Sequence, residues 1–330
     1  MKCLSYWRKI RLKREVTSIW EGIFMKIQRT YGIYLFAVAL FCAFWHPLSA
    51  SPMKQGPNPK NQTWFLSPKD ALDLPEFKTI DTRSFPSRFQ EKLPKAQVLD
   101  WEDLSLKENP FRGKLQKEED IQKKLLSLGF HLEDLIVVLG DGASGWGEEG
   151  RIVWSLREVG FPNVFWFDGS VRSLKEVIES RKQRNVDQKI QKASIPIAKD
   201  TIQIKTNITK EEISKQLQNN FYQILDTRET REFSGSTPYG ESRGGHIPGA
   251  KSFYYQNLFD AKGSIKSKQE VETILSQLGI TKSKPIIAYC TGGVRSAFVV
   301  GILRSYGYNA YNYSGSMWEW SFYPDLPMEK

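Results

Sequence analysis

Cysteine is nearly absent from this chain: its 330 residues hold three, Cys3, Cys42 and Cys290. Two of them lie within the first 50 residues, so a chain cut after that point keeps Cys290 alone. One thiol builds no disulfide framework, and a lone thiol in an oxidising compartment is a liability unless it does chemistry. Acidic residues are in deficit as well, 37 Asp and Glu against 47 Lys and Arg, for a formal charge of +10. That excess is local. Residues 1–29 carry eight Lys and Arg against Glu15 and Glu21, a charge of +6, which leaves +4 for the remainder. A basic balance concentrated in one short segment argues against a nucleic-acid-binding surface. The apolar share of 40% and the charged share of 25% are those of a soluble globular protein, not a disordered one.

The apolar run at residues 31–45 is fifteen residues long, short of the about 20 a spanning helix needs. Lys26 and Arg29 precede it, and Leu48-Ser49-Ala50 follow it, which is the layout of a secretory signal. Two readings stay open: a signal peptide cleaved near Ala50, with Met25 as an alternative start, or an uncleaved membrane anchor. Either one predicts an exported, periplasmic or membrane-anchored protein that meets the membrane only through this segment. Residues 51–63, rich in Pro, Gly and polar residues, read as a flexible leader.

The rest of the chain repeats itself. Asp81-Thr82-Arg83 returns as Asp226-Thr227-Arg228, 145 residues later, and Gly160 and Gly307 stand 147 apart. A period of that size is a duplicated domain, not a solenoid. Short apolar strands alternate with amphipathic helices in each copy: strands at 135–139 and 164–167 around a helix at 151–159, then strands at 221–225, 285–289 and 310–313 with helices at 268–279 and from about 296. Fully apolar strands separated by helices predict an α/β fold in which each copy is a parallel β-sheet with helices on both faces. The first copy is expected over 64–180, a polar linker over 181–200 and the second copy over 201–330.

Chemistry concentrates in the second copy. A buried strand ending at Tyr289 runs into Cys290-Thr291-Gly292-Gly293-Val294-Arg295-Ser296 and then a helix. Loops leaving the carboxyl ends of parallel strands form the ligand edge of such sheets. The paired glycines let successive amides turn inward, and the helix adds its positive end. A cysteine there is held as thiolate, and Arg295 adds charge.

The loop resembles the active-site loop of rhodanese domains. Asp226-Thr227-Arg228, Gly245-His246-Ile247-Pro248-Gly249-Ala250 and the ending Gly315-Ser316-Met317-Trp318-Glu319-Trp320 resemble further signatures of that family in the right order. The resemblance implies two rhodanese-like domains in tandem and a sulfurtransferase with Cys290 as nucleophile. It implies a small anionic sulfur donor bound by Thr291, Gly292, Gly293, Val294, Arg295 and Ser296, a thiol or protein as acceptor, and neither metal nor organic cofactor. Asp226, Arg228 and His246 are expected to support the site structurally. In the 3-mercaptopyruvate branch, arginines before the His-Ile-Pro-Gly element hold the donor carboxylate, which makes Arg231 and Arg243 candidates here. Gly292 stands where that branch tends to have serine, so thiosulfate is the preferred donor. The first copy has Gly140-Asp141-Gly142 after its central strand and no cysteine, and is expected to be catalytically silent. Trp318 and Trp320 are expected to pack in the core or seam. Related phosphatases place five residues between Cys and Arg; the four here leave that chemistry as a minor alternative, beside a persulfide carrier that does not turn over.

Overall fold

The computed structural model describes residues 63–187, 205–217, 219 and 221–330. The expected signal or anchor, the leader up to residue 62 and most of the expected linker lie outside them. No helix among the described residues is long and apolar enough to cross a membrane.

Each half is one all-parallel sheet. The first is built from β1 (Phe65–Leu66), β2 (Lys78–Asp81), β3 (Gln97–Val98), β4 (Ile136–Leu139) and β5 (Val164–Phe167), in the order β1-β5-β4-β2-β3. The second has β6 (Gln223–Asp226), β7 (Lys251–Ser252), β8 (Ile286–Tyr289) and β9 (Ala310–Asn312), in the order β7-β6-β8-β9. The two orders superpose, with an Asn207–Asn312 bridge standing where β1 pairs in the first half. Register agrees too: Asp81 lies opposite Leu139, and Asp226 opposite Tyr289. The duplication read from spacing is therefore a duplication of topology.

Ten α-helices are described: α1 (Pro68–Leu72), α2 (Phe85–Gln90), α3 (Glu118–Ser127), α4 (Glu148–Glu158), α5 (Val171–Asp187), α6 (Lys210–Leu217), α7 (Thr230–Phe233), α8 (Lys268–Gln277), α9 (Val294–Ser305) and α10 (Ser316–Trp320). Helix α9 begins two residues earlier than the sequence suggested, directly on Gly293. Helix α5 carries the first half to residue 187, past the expected boundary at 180.

Strand side chains alternate between faces. Ile136 and Val138 of β4, and Ile286 and Ala288 of β8, point into one large core shared by both halves. Val137 and Leu139 join a core private to the first half, and Ile287 and Tyr289 one private to the second. Burial on both faces explains why these strands read as unbroken apolar runs. The shared core is closed by α4 packing on α9, where Gly147 and Gly150 admit the Phe298 ring. Phe298 is fully buried, with its ring 5.1 Å from Trp166 and 5.3 Å from Phe259. Phe298→Ala should cost about 3–5 kcal/mol in a urea unfolding titration, since a rigid seam cannot close around the missing ring.

Candidate active site

Three elements build the site from the second half. β8 delivers Cys290 at its carboxyl end, α9 starts four residues on, and α10 closes from the side. Gly293, at φ +78°, is the residue that turns the chain into α9, a conformation that side chains other than glycine's resist. Its amide donates to Cys290 Sγ at 3.1 Å. Ser316 Oγ accepts from the Cys290 amide at 3.0 Å, while Met317 N and Trp318 N donate to the carbonyls of Cys290 and Thr291. The loop is thus held on both sides, its amides facing the sulfur and its carbonyls tied down. Gly292 has no room for a side chain, because the Trp318 ring lies against it. That contact is the physical reason serine is absent from this loop position.

Cys290 is 1% exposed. Burial by itself pushes a thiol up; here the Arg295 charge, the Ser296 amide and hydroxyl and the Gly292 amide outweigh it and hold the thiol below its ordinary value. Ser296 Oγ lies 3.7 Å from Sγ but 2.6 Å from Asn312 Oδ1. Its proton goes to the nearer acceptor, so the amides and Arg295 do most of the stabilising. Arg295 is not a bare charge. Glu232, fully buried, takes it in a two-pronged pair at 2.7 and 2.9 Å and also accepts from Thr291 Oγ1 at 2.7 Å. Glu232 and its neighbour Glu241 were missed in the sequence, where an acid between Arg231 and Phe233 looks like helix surface.

A second arginine comes from the first half. Arg151 on α4 is fully buried and donates to Gly293 O at 3.0 Å, to Ser105 Oγ at 3.0 Å and to Gly113 O at 2.5 Å. It clamps the turn that aims the Gly293 amide. Nothing in its sequence surroundings, an apolar helix, marks it. The Asp-Thr-Arg repeat proves to be a brace in both halves. Arg228 pairs with Asp226 at 2.9 and 2.6 Å and donates to Gly245 O, and Tyr289 OH donates to Asp226 Oδ2 at 2.8 Å; Arg83 and Asp81 repeat the pair. His246 stacks on Phe233 and shares a hydrogen bond between Nδ1 and Phe233 O, a structural position.

Above the sulfur lies a cavity of about 530 Å³. Its floor is the loop from Cys290 to Arg295, and Trp101, Glu102, Arg112, Trp146 and Glu148 of the first half supply one wall. Two corrections follow. Arg231 pairs with Glu229 at 2.7 Å and reaches Tyr239 OH at 3.4 Å. Arg243 donates to the carbonyls of Trp320, Ser321, Tyr323 and Leu326, fastening the C-terminal segment. Neither guanidinium lines the cavity. Trp318 is buried at the seam as expected, with the exposed Arg112 guanidinium of the first half stacked on its ring at 3.9 Å, and it also lines the cavity; Trp320 is core as expected. Arg112 has no ion-pair partner among the described residues. Burial raises the Glu102 and Glu148 carboxyls.

The arrangement defines a class: a duplicated parallel α/β protein with a buried cysteine of lowered pKa at the head of a helix, beneath a first copy that has no cysteine. The comparisons place that class in a family. Residues 209–322 match the rhodanese-like domain. Over 265 residues the chain is 26% identical to a thiosulfate sulfurtransferase of Pseudomonas aeruginosa, covering 80% of this chain and 94% of that protein. It is 25% identical to a 3-mercaptopyruvate sulfurtransferase of Escherichia coli, over 81% and 98% of the two chains. The solved structure of the Tum1 protein from Saccharomyces cerevisiae matches with a TM-score of 0.63 at 19% identity, over 81% of this chain and 98% of that one. The second half of the chain is a rhodanese-like domain, and the whole has the tandem rhodanese architecture.

Two measurements check the site. The rate of Cys290 alkylation by iodoacetamide should rise with pH and level off at a lower pH than for an ordinary thiol, and Arg295→Met should move that midpoint upward. Glu232→Ala strands a buried guanidinium and should cost about 3–5 kcal/mol of unfolding stability.

Proposed function

We propose that this protein is a sulfurtransferase that takes sulfane sulfur from a small anionic donor, thiosulfate before others, and passes it to a thiophilic acceptor. The observation that carries this reading is the buried thiolate facing the Gly293 amide, with Arg295 behind it. Cys290 Sγ attacks the outer sulfur of thiosulfate; the sulfur–sulfur bond breaks and sulfite leaves with the electron pair. The product is a Cys290 persulfide, whose outer sulfur sits under the same amides. An acceptor, a thiolate in the cell or cyanide in an assay, attacks that outer sulfur and frees the Cys290 thiolate. The step needs no proton donor beyond solvent, since every species written is already anionic.

Donor preference rests on where the arginines point. The two candidates before His246 are engaged with Glu229 and with backbone carbonyls. That weakens the case for 3-mercaptopyruvate, whose carboxylate they would have to hold. Arg112 is the guanidinium that lines the cavity without an acid to neutralise it, and it meets the anionic end of the donor. The N-terminal segment, with its basic start and apolar run, exports the chain or tethers it to the membrane, so the acceptor is a thiol outside the cytoplasm.

Thiosulfate:cyanide transfer by the purified protein should yield thiocyanate and vanish in Cys290→Ser. Arg112→Ala should raise KM for thiosulfate about tenfold, the worth of one charge-assisted hydrogen bond, with kcat little changed. Turnover by 3-mercaptopyruvate and none by thiosulfate would reverse the donor assignment. A folded protein inert with both would shift the reading to a persulfide carrier.

A further inference from the structure

The neighbouring residues Glu148 and Glu149 of α4 face different cavities. Glu148 lines the catalytic one; Glu149 lines a second, of about 610 Å³, at the carboxyl edge of the first sheet. This is where the silent half would carry its own active site. Gly140 follows β4 as Cys290 follows β8, and Glu149 is the second residue of α4 as Arg295 is of α9. The charge is inverted, and the carboxyl has moved in over the glycine: a Cβ on Gly140 would collide with Glu149. The thiolate and its guanidinium are thus replaced by one carboxyl group.

That carboxyl is incomplete. Glu149 is 2% exposed, and its Oε2 has no hydrogen-bond partner. A buried polar atom left so costs about 1–3 kcal/mol. Burial, reinforced by Glu148, Asp141 and Asp168, pushes the group up to about 8. The other charges of the lining do not satisfy it. Arg83 is taken by Asp81 and Glu91 by Lys175; Lys262, from the second half, is the remaining cation. Asp168 is itself raised by burial. Trp166, Phe167, Phe259 and Phe298 underlie the cavity but are almost wholly buried, and the surface between the acids is mainly polar. Among the described residues no three His, Cys, Asp or Glu stand close enough to hold one metal ion. The acids are spread for a ligand that has length.

We propose that this cavity is a second binding site, for a small aliphatic amine or diamine whose ammonium pairs with Glu149. Binding ionises Glu149, and its proton passes to solvent. The ammonium stays protonated across the same range, because alkylammonium groups lose their proton only near about 10.4. Affinity therefore rises about tenfold per pH unit below the Glu149 transition and levels off above it.

The test is titration calorimetry of the full chain with putrescine, in two buffers of different protonation enthalpy, across pH about 6 to 9. The expected result near pH 7 is roughly one proton released per ligand bound, with that pH slope. Glu149→Gln, close in shape to the neutral acid, should weaken binding at least about tenfold and abolish both the proton release and the slope. Asp168→Asn should weaken binding while leaving the release intact, and serves if Glu149→Gln fails to fold. Absence of putrescine binding at every pH would overturn the proposal. So would binding that releases no proton, or that Glu149→Gln leaves unchanged. Calcium bound in its place, lost in Glu149→Gln, would replace the amine with a metal. Sulfur transfer enters none of these readings, so the site stands or falls apart from the catalytic assignment.

Discussion

A sulfur buried at the head of α9, its thiol held below the ordinary value, is the constraint to which the rest of the structure answers. An anion removed from water must be compensated in place, by fixed dipoles and by a counter-charge. The Gly293 amide and the end of α9 supply the dipoles, and Arg295 supplies the charge. Arg295, itself buried, then needs Glu232, and Glu232 is in turn seated by Thr291 of the same loop. The chain of compensation ends only where Arg228 and Asp226 close on each other beneath the loop, joined to β8 through Tyr289. Such a network is costly to assemble and costlier to leave half-made, which accounts for how many side chains are withdrawn from solvent here.

The first half takes part in this network although it has no cysteine of its own. Arg151 crosses from α4 to the Gly293 carbonyl, and the first half's tryptophans wall the cavity above the sulfur. The halves share one core, so the cover is rigid and not a mobile flap. Duplication has left the Asp–Arg brace intact in both sheets while replacing the reactive residues of one. The retained brace is architectural: it ties the strand end to the loop that follows, whatever that loop carries.

The cavity's charge is settled by competition for guanidinium groups. Arg231 and Arg243 lie in the stretch where a donor carboxylate would be gripped, yet each finds a nearer partner. Arg243 satisfies carbonyls at the end of α10 that burial would otherwise leave bare. Arg112 finds an indole face and no acid, so its charge remains available at the mouth. Which arginine meets substrate is decided by what surrounds each one, not by its place along the chain.

Much of this was legible in the residues alone. Spacing disclosed the duplication, apolar runs disclosed parallel strands covered on both faces, and Cys290 between a strand and a Gly-Gly turn marked where the candidate site lies. These are local properties: periodicity, turn chemistry and the direction of a helix dipole depend on neighbours in the chain. The partners of the buried charges did not show. Glu232 meets Arg295 across 63 residues and Arg151 meets Gly293 across 142, while Arg112 joins Trp318 from the other half. The sequence by itself determined the fold, its doubling and the place of Cys290 at a strand end before a helix. Only the tertiary structure decided which charges face the sulfur and which face each other, because burial makes a charge seek its partner through space.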